Sequence, residues 1–179
     1  MRSANGSSYG AAQTYTTGKV PDLRTDAATS RTENSASLNA SFVGDGSDTH
    51  YYFEYGQTTK YGHKTAIPPG ENAGVTTGPT HVSTEVTGLE PGITYHYRVV
   101  GENSIGISKA NDRSFKTDEL PAIISATTSH ITETSAEVDA TINPHGFETE
   151  YFVEYGVTSE LGSIAPIPHG VLAPSNTAE

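Results

Sequence analysis

The sequence predicts an all-β protein folded as a two-sheet sandwich. Three observations lead there. Apolar and polar residues alternate with a period of two in several short runs, so every second side chain shares one face of a strand. Clusters of Gly, Pro, Asn and Asp punctuate those runs. The stretch Leu89-Glu90-Pro91-Gly92-Ile93-Thr94-Tyr95 sets a Pro-Gly turn between a leucine and a tyrosine. A tyrosine just after such a turn can bury its ring and return its hydroxyl to the turn's backbone, the corner of Greek-key sandwiches.

Taken in order, Ala27 to Ser30 forms a first strand. Ala36, Leu38, Ala40 and Phe42 alternate with Ser35, Ser37, Asn39 and Ser41, giving a second strand with one apolar face. Gly44-Asp45-Gly46-Ser47-Asp48 reads as a hairpin turn. Tyr51, Phe53 and Tyr55 alternate with Tyr52 and Glu54 in a third strand, and Gly56 to Gly62 turns the chain. Lys64 to Ile67 is a short fourth strand. Pro68 to Asn72 is a loop, because neither proline can donate to a ladder. His81 to Val86 leads into the corner and Tyr95 to Val100 leads out of it. Asn103 to Gly106 is a turn, and Arg113 to Thr117 closes the set. No helix of ordinary length is expected. Leu38, Ala40, Phe42, Phe53, Tyr55, Val86, Leu89, Tyr97, Val99 and Phe115 are expected to be largely buried, and Tyr95 with them.

The chain also repeats itself. A shift of 100 residues aligns 21–79 with 121–179 without a gap, at 19 identities in 59 positions. Tyr51-Tyr52-Phe53-Glu54-Tyr55-Gly56 returns as Tyr151-Phe152-Val153-Glu154-Tyr155-Gly156, and Thr14-Tyr15-Thr16-Thr17 reappears as Ser114-Phe115-Lys116-Thr117. A period of about 100 residues is the size of one immunoglobulin-like sandwich. The repeat divides the chain into 1–20, a closing strand of a preceding unit; 21–120, a complete unit; and 121–179, the first half of another. The linkers at Pro21 and Pro121 are short, so the units should be closely strung.

Leu89-x-Pro91-Gly92-x-Thr94-Tyr95, the alternation of Tyr95–Val100, Asn103-Ser104-x-Gly106 and Ser114-Phe115-Lys116-Thr117 together resemble the fibronectin type III family. Phe53-Glu54-Tyr55-Gly56-x-Thr58-x-x-Tyr61-Gly62 looks like a subtype common in tandem arrays of large bacterial extracellular proteins. The resemblance covers 21–120 and, through the repeat, 121–179. It implies an immunoglobulin-like Greek-key β-sandwich, in tandem with incomplete flanking units. This scaffold hosts many unrelated functions.

Composition narrows the function classes. The net charge is −11, which repels phosphate backbones and excludes nucleic acid as an expected partner. No run approaches 18 apolar residues, so no membrane span is expected. The first six residues lack the apolar core of a signal peptide. There is no cysteine, hence no disulfide.

Four constellations bear on chemistry. The seven histidines, His50, His63, His81, His96, His130, His145 and His169, form no i, i+2 or i, i+4 pair, so no metal is expected. Asp45, Asp48 and Asn72 are oxygen ligands suited to calcium, but their spacing matches no calcium loop. Glycoside hydrolysis needs two carboxylates about 5–10 Å apart. Glu54 is the candidate there because it recurs, as Glu154, among aromatics. The competing reading makes Glu54 a strand residue paired across the sheet with Arg98 or Lys64. Tyr52, Tyr61 and Tyr9 are candidates for an aromatic platform under sugar rings, set against the ordinary preference of tyrosine for half-exposed strands. No nucleophile elbow, phosphate loop or dinucleotide fingerprint is present, and no cofactor is expected.

The expected function is a non-catalytic spacer, display or adhesion module of a repetitive extracellular protein, on a bacterial cell or phage virion surface. The alternative is a hydrolase fragment or a carbohydrate-binding accessory of a glycan-active enzyme. Possible ligands are a glycan or a protein. The partners covering the apolar face of 121–179 are expected to lie beyond Glu179 or to come from another copy by β-strand addition, through residues 8–17.

Overall fold

The computed structural model describes residues 19–178, with the backbone of Arg2–Ser3 (β1) and Gly6–Ser7 (β2). β1 and β2 form a two-residue antiparallel ladder. The closing strand expected at Thr14–Thr17 lies outside the described residues, as does Tyr9. Among the described residues every regular element is a strand.

Two antiparallel sheets make the sandwich. The smaller has the order β3-β4-β8, formed by Arg24–Thr25, Ser35–Val43 and Pro79–Thr87. The larger contains β5 (Asp48–Gly56), β6 (His63–Lys64), β7 (Glu71–Val75), β9 (Thr94–Asn103), β10 (Gly106–Lys109) and β11 (Arg113–Lys116). Its order is β10-β9-β5-β6, with β11 also on β9 and β7 also on β5. The chain changes sheet from β4 to β5, from β7 to β8 and from β8 to β9. That is a Greek-key connection pattern, and the fold is an immunoglobulin-like β-sandwich.

Two compact units are present among the described residues. The first comprises Met1–Ala27, Leu38–Thr84 and His96–Arg113. Its core is Leu38, Ala40 and Phe42 from β4, Phe53 from β5, and Tyr97 and Val99 from β9, each at most 2% exposed. Two bonds tie the sheets together in this unit. The Tyr97 hydroxyl donates to the Asp26 carbonyl at 2.5 Å, and the Val99 amide donates to Thr25 Oγ1 at 3.2 Å. The alternation along β4 falls as the sequence predicts: Ala36, Leu38, Ala40 and Phe42 are buried and the serines and asparagine between them half-exposed. Tyr55 departs from the expected core. It is half-buried, because its ring stacks on His63 of the edge strand at 5.3 Å rather than entering the sandwich.

The second unit comprises Ala28–Ser37, Glu85–Tyr95 and Ser114–Glu179. It holds the corner. Tyr95 is 6% exposed, its ring stacks on Phe115 at 5.9 Å, and its hydroxyl accepts the Glu90 amide at 3.1 Å. The Thr117 hydroxyl completes the corner by donating to the Glu90 carbonyl at 2.6 Å. Tyr95→Phe keeps the ring and removes one acceptor, so it should lower unfolding stability by about 1 kcal/mol; a chemical denaturation midpoint unchanged from that of the parent chain would refute this role.

The same unit contains two further hairpins. β12 (Ala122–Ser129) pairs with β13 (Glu137–Asn143), and β14 (Thr149–Tyr155) pairs with β15 (Ser163–Leu172). Their local geometry reproduces the earlier repeat. Thr32 Oγ1 accepts the Ser35 amide at 3.0 Å, and Thr132 Oγ1 accepts that of Ser135 at 3.0 Å. The Tyr61 amide donates to the Thr58 carbonyl at 2.8 Å, and the Leu161 amide to that of Thr158 at 3.1 Å. Gly56 and Gly156 stand at the same turn because the backbone of residues 61 and 161 passes too close for any Cβ.

Several expected elements move. Gly44 to Asp48 is not a hairpin turn, since β4 and β5 lie in different sheets; its Gly44 and Gly46 amides donate instead to the carbonyls of Gly78 and Thr76. The fourth strand is split. β6 ends at Lys64 and β7 begins at Glu71, so Glu71 and Asn72 are strand rather than loop. The nine-residue β5 offers an edge long enough for both pieces, and Pro68 and Pro69 occupy the interruption, where no donor is needed. The first strand begins at Arg24, with only an isolated Thr29–Ser37 bridge in the expected 27–30 stretch. β10 was not foreseen, because Gly-Ile-Ser-Lys has too little patterning to announce a strand.

Candidate functional site

The densest cluster of functional side chains in the first unit lies on the outer face of β5 and β9. Antiparallel register sets Glu54 opposite Arg98 on one side and opposite Lys64 of β6 on the other. Arg98 Nε and Nη2 both donate to Glu54 Oε2, at 2.9 and 2.7 Å, while Lys109 Nζ stands 3.6 Å from Oε1. The Arg98 guanidinium lies over the Tyr61 ring, 4.7 Å from its centroid. The Tyr61 hydroxyl donates to Asp112 Oδ1 at 3.0 Å, and Asp112 Oδ2 is 2.8 Å from His96 Nδ1. A cleft of about 330 Å³ between the 59–64 turn and the Glu54–Arg98 pair opens beside this network.

Glu54 is 9% exposed. Burial pushes its carboxyl upward, but the Arg98 hydrogen bond, with the charges of Lys109, Arg98 and Lys64, outweighs that and holds it below the usual carboxylate value. The group is therefore ionised at neutral pH. It is suited to ion pairing and unsuited to donating a proton, the task of a glycosidase acid. Burial, and then the bond to Asp112, raise the Tyr61 phenol above its ordinary value.

The sequence-predicted residues fare differently. Glu54 takes the cross-strand partner Arg98, as the competing reading had it. Glu154 lies in the second unit, on β14, exposed and opposite Ile164. Position 64 is lysine and position 164 isoleucine, so the repeat keeps the carboxylate and changes its neighbour. Tyr52 is 5% exposed with the Lys64 ammonium 5.1 Å from its ring centroid, so its face is covered. Tyr61 is half-exposed, with Arg98 against its ring.

The oxygen ligands considered for calcium are engaged locally. Asp45 Oδ1 accepts the Ser47 amide at 2.9 Å and Asn72 Oδ1 accepts that of Gly74 at 2.5 Å, while Asp48 faces His50 Nε2 at 3.4 Å. Among the described residues no three His, Cys, Asp or Glu side chains converge to hold a metal ion. Asp112 and Lys109 were missed by sequence reasoning. Lys109 sits in the unforeseen β10, and Asp112 in the connection after it, where no periodicity speaks.

No protein-family model and no curated protein matches this chain. Among solved structures it is similar to the sensor domain of the anti-sigma factor RsgI4 in Pseudobacteroides cellulosolvens. The short form of that domain is 18% identical, with 59% of this chain and 100% of that one covered and a TM-score of 0.44. The long form is 20% identical, with 62% and 98% covered and a TM-score of 0.42. A solution structure of the same sensor domain is 17% identical, with 55% and 76% covered and a TM-score of 0.44.

Proposed function

We propose that this chain is a non-catalytic module of the fibronectin type III kind, part of a tandem series in a repetitive extracellular or virion-surface protein, where it acts as a spacer or as a platform for display and adhesion. Residues 21–120 are the complete unit of that series, and 121–179 begin the next. The observation that carries the reading is the state of Glu54. The candidate catalytic carboxylate is spent on Arg98 and Lys109, and the cluster around it bonds to itself. Such a network stiffens a sheet face and leaves no group free to attack or protonate a substrate. The strand order of three on one sheet and the rest on the other agrees with the resemblance. Sandwiches joined by short linkers behave as stiff beads, and their variable loops are the natural place for contacts.

The test is direct. The purified chain, offered a panel of glycosides and carboxylic esters, should show no turnover above that of Glu54→Gln and Glu154→Gln variants. On a glycan array it should show no signal that depends on Tyr52 or Tyr61. Turnover abolished by either glutamine substitution would replace this reading with a hydrolase; an array signal lost in Tyr61→Ala would replace it with a glycan-binding module.

A further inference from the structure

Residues 118–121 lead from β11 to β12 and are fastened at both ends, by groups that all belong to the second unit. Backbone holds the start. The Asp118 amide donates to the Thr32 carbonyl at 3.0 Å, and the Asp118 carbonyl accepts the Gly92 amide at 3.0 Å. A side chain holds the end. His145, in the connection between β13 and β14, has a φ of +50°, and its amide donates to Asn143 Oδ1 at 2.9 Å. Its ring meets the segment with both nitrogens. Nδ1 lies 2.6 Å from the Leu120 carbonyl oxygen, and Nε2 lies 3.5 Å from Glu119 Oε2. Both partners can only accept. A neutral imidazole has one N–H and one lone pair, so it satisfies one of them; the imidazolium has two donors and satisfies both.

The charged groups lining the cleft around His145 are Arg31, Lys116, Asp118 and Glu119. The hydrogen bond and charge of Lys116, and then the charge of His145, hold the Glu119 carboxyl below its usual value. That carboxylate therefore stays ionised wherever histidine titrates. The repeat register bears on the pairing too. Position 19 is lysine where 119 is glutamate, and position 45 is aspartate where 145 is histidine. The two signs are exchanged together, and only the later pair has a member that titrates near neutral pH.

We propose that His145 is a pH-operated clamp: its protonation fastens residues 118–121 to the connection between β13 and β14, and its deprotonation releases the Glu119 side of that contact. Histidine gains its second donor as pH falls through about 6.5, so the contact is complete below that pH and is lost as pH rises through it. In the neutral ring the proton belongs on Nδ1, because a carbonyl oxygen 2.6 Å away must meet a donor. Nε2 then turns a lone pair toward a carboxylate, and the contact with Glu119 becomes repulsive. For a series of tandem modules, a meaning that rests on the spacer reading above, the clamp makes a connection that stiffens in acid. Turnover or glycan binding would end that reading and leave the clamp standing.

Ring nitrogen NMR and amide exchange on the full chain decide it together. As pH falls from about 7.5 to about 5.5, exchange of the Asp118 and Gly92 amides, corrected for its intrinsic pH dependence, should slow about threefold, the scale of a partly exposed ion pair. The slowing should follow the titration of the His145 ring, and the neutral ring should carry its proton on Nδ1. Glu119→Gln removes the charge and keeps the shape. His145→Asn keeps one donor and suits a positive φ. Each variant should abolish the slowing. Exchange in the parent chain that does not respond to pH overturns the proposal. So does a response that persists in either variant, which would place it at another histidine, such as His130 beside Glu137. A neutral His145 ring protonated on Nε2 overturns it as well, because Leu120 would then face a lone pair.

Discussion

Phe53→Ala should cost the first unit about 3–5 kcal/mol, whereas Val153→Ala at the same position of the repeat should cost the second about 1 kcal/mol or less. The contrast follows from burial. Phe53 is fully enclosed, and Tyr51 meets it edge-on at 6.2 Å; Val153 is half-exposed on β14. Truncating an enclosed aromatic ring removes its transfer free energy and leaves a cavity that the neighbours fill only in part. Truncating a half-exposed valine removes few contacts and opens a space that water already reaches. A loss of 3–5 kcal/mol is a large part of the total stability of a small domain, about 5–15 kcal/mol. Amide exchange is the right measurement, because it reads β5 and β14 separately within one chain. Equal losses of protection at both strands would show that the second face is enclosed as the first is.

Arg98→Ala should destabilise the chain by about 2 kcal/mol near neutral pH, and its penalty should shrink as the solution is acidified. The magnitude is set below that of a fully buried pair, about 3–5 kcal/mol, because Arg98 is partly open to water. The sign of the pH dependence comes from Glu54, whose carboxyl is held below its ordinary value of 4.5 in the folded chain. A depressed folded pKa contributes stability that is fully present above the unfolded value and is lost as pH falls through the folded one. Without Arg98, burial still disfavours the carboxylate, so the group takes up a proton more readily and the pair's contribution disappears from the outset. The gap between parent and variant should thus be widest near pH 7 and should close as the pH falls through the ordinary carboxylate value toward the lower one that Glu54 has in the folded parent. Arg98→Lys restores a charge but not the paired donation from Nε and Nη2, nor the flat contact on Tyr61, so it should recover the pH trend and only part of the stability. A gap that stays constant with pH would mean that Arg98 acts through packing on Tyr61 and not through Glu54.

The legible parts of the molecule were those written in local periodicity. The burial pattern of β4 was readable from Ala36, Leu38, Ala40 and Phe42, because a strand's side chains can only alternate. The corner was readable because Pro91-Gly92 fixes a turn and leaves Tyr95 one direction in which to bury its ring. The illegible parts depended on which sheet a strand joins. Gly44 to Asp48 has the composition of a hairpin turn, and only the pairing of β4 with β3 and β8 makes it a crossing between sheets. Of the candidate site, the Glu54–Arg98 pair was foreseeable from alternation on two strands. The contributions of Lys109 and Asp112 were not, since their place in the network depends on how β10 and its following connection lie against the sheet.

By itself the sequence determined the all-β class, the inward face of β4 and the 100-residue repeat, all of them consequences of side-chain order along the chain. That the face of 121–179 is less covered than that of 21–120 was an expectation of the sequence as well; its extent at each residue, and the sheet each strand joins, were decided only by tertiary structure. Phe53 and Val153 occupy the same register in the same motif, yet one strand has β9 along its edge and the other has none among the described residues. Burial is a property of what arrives from elsewhere in the chain, and two stretches of nearly the same sequence differ in it because different strands reach them.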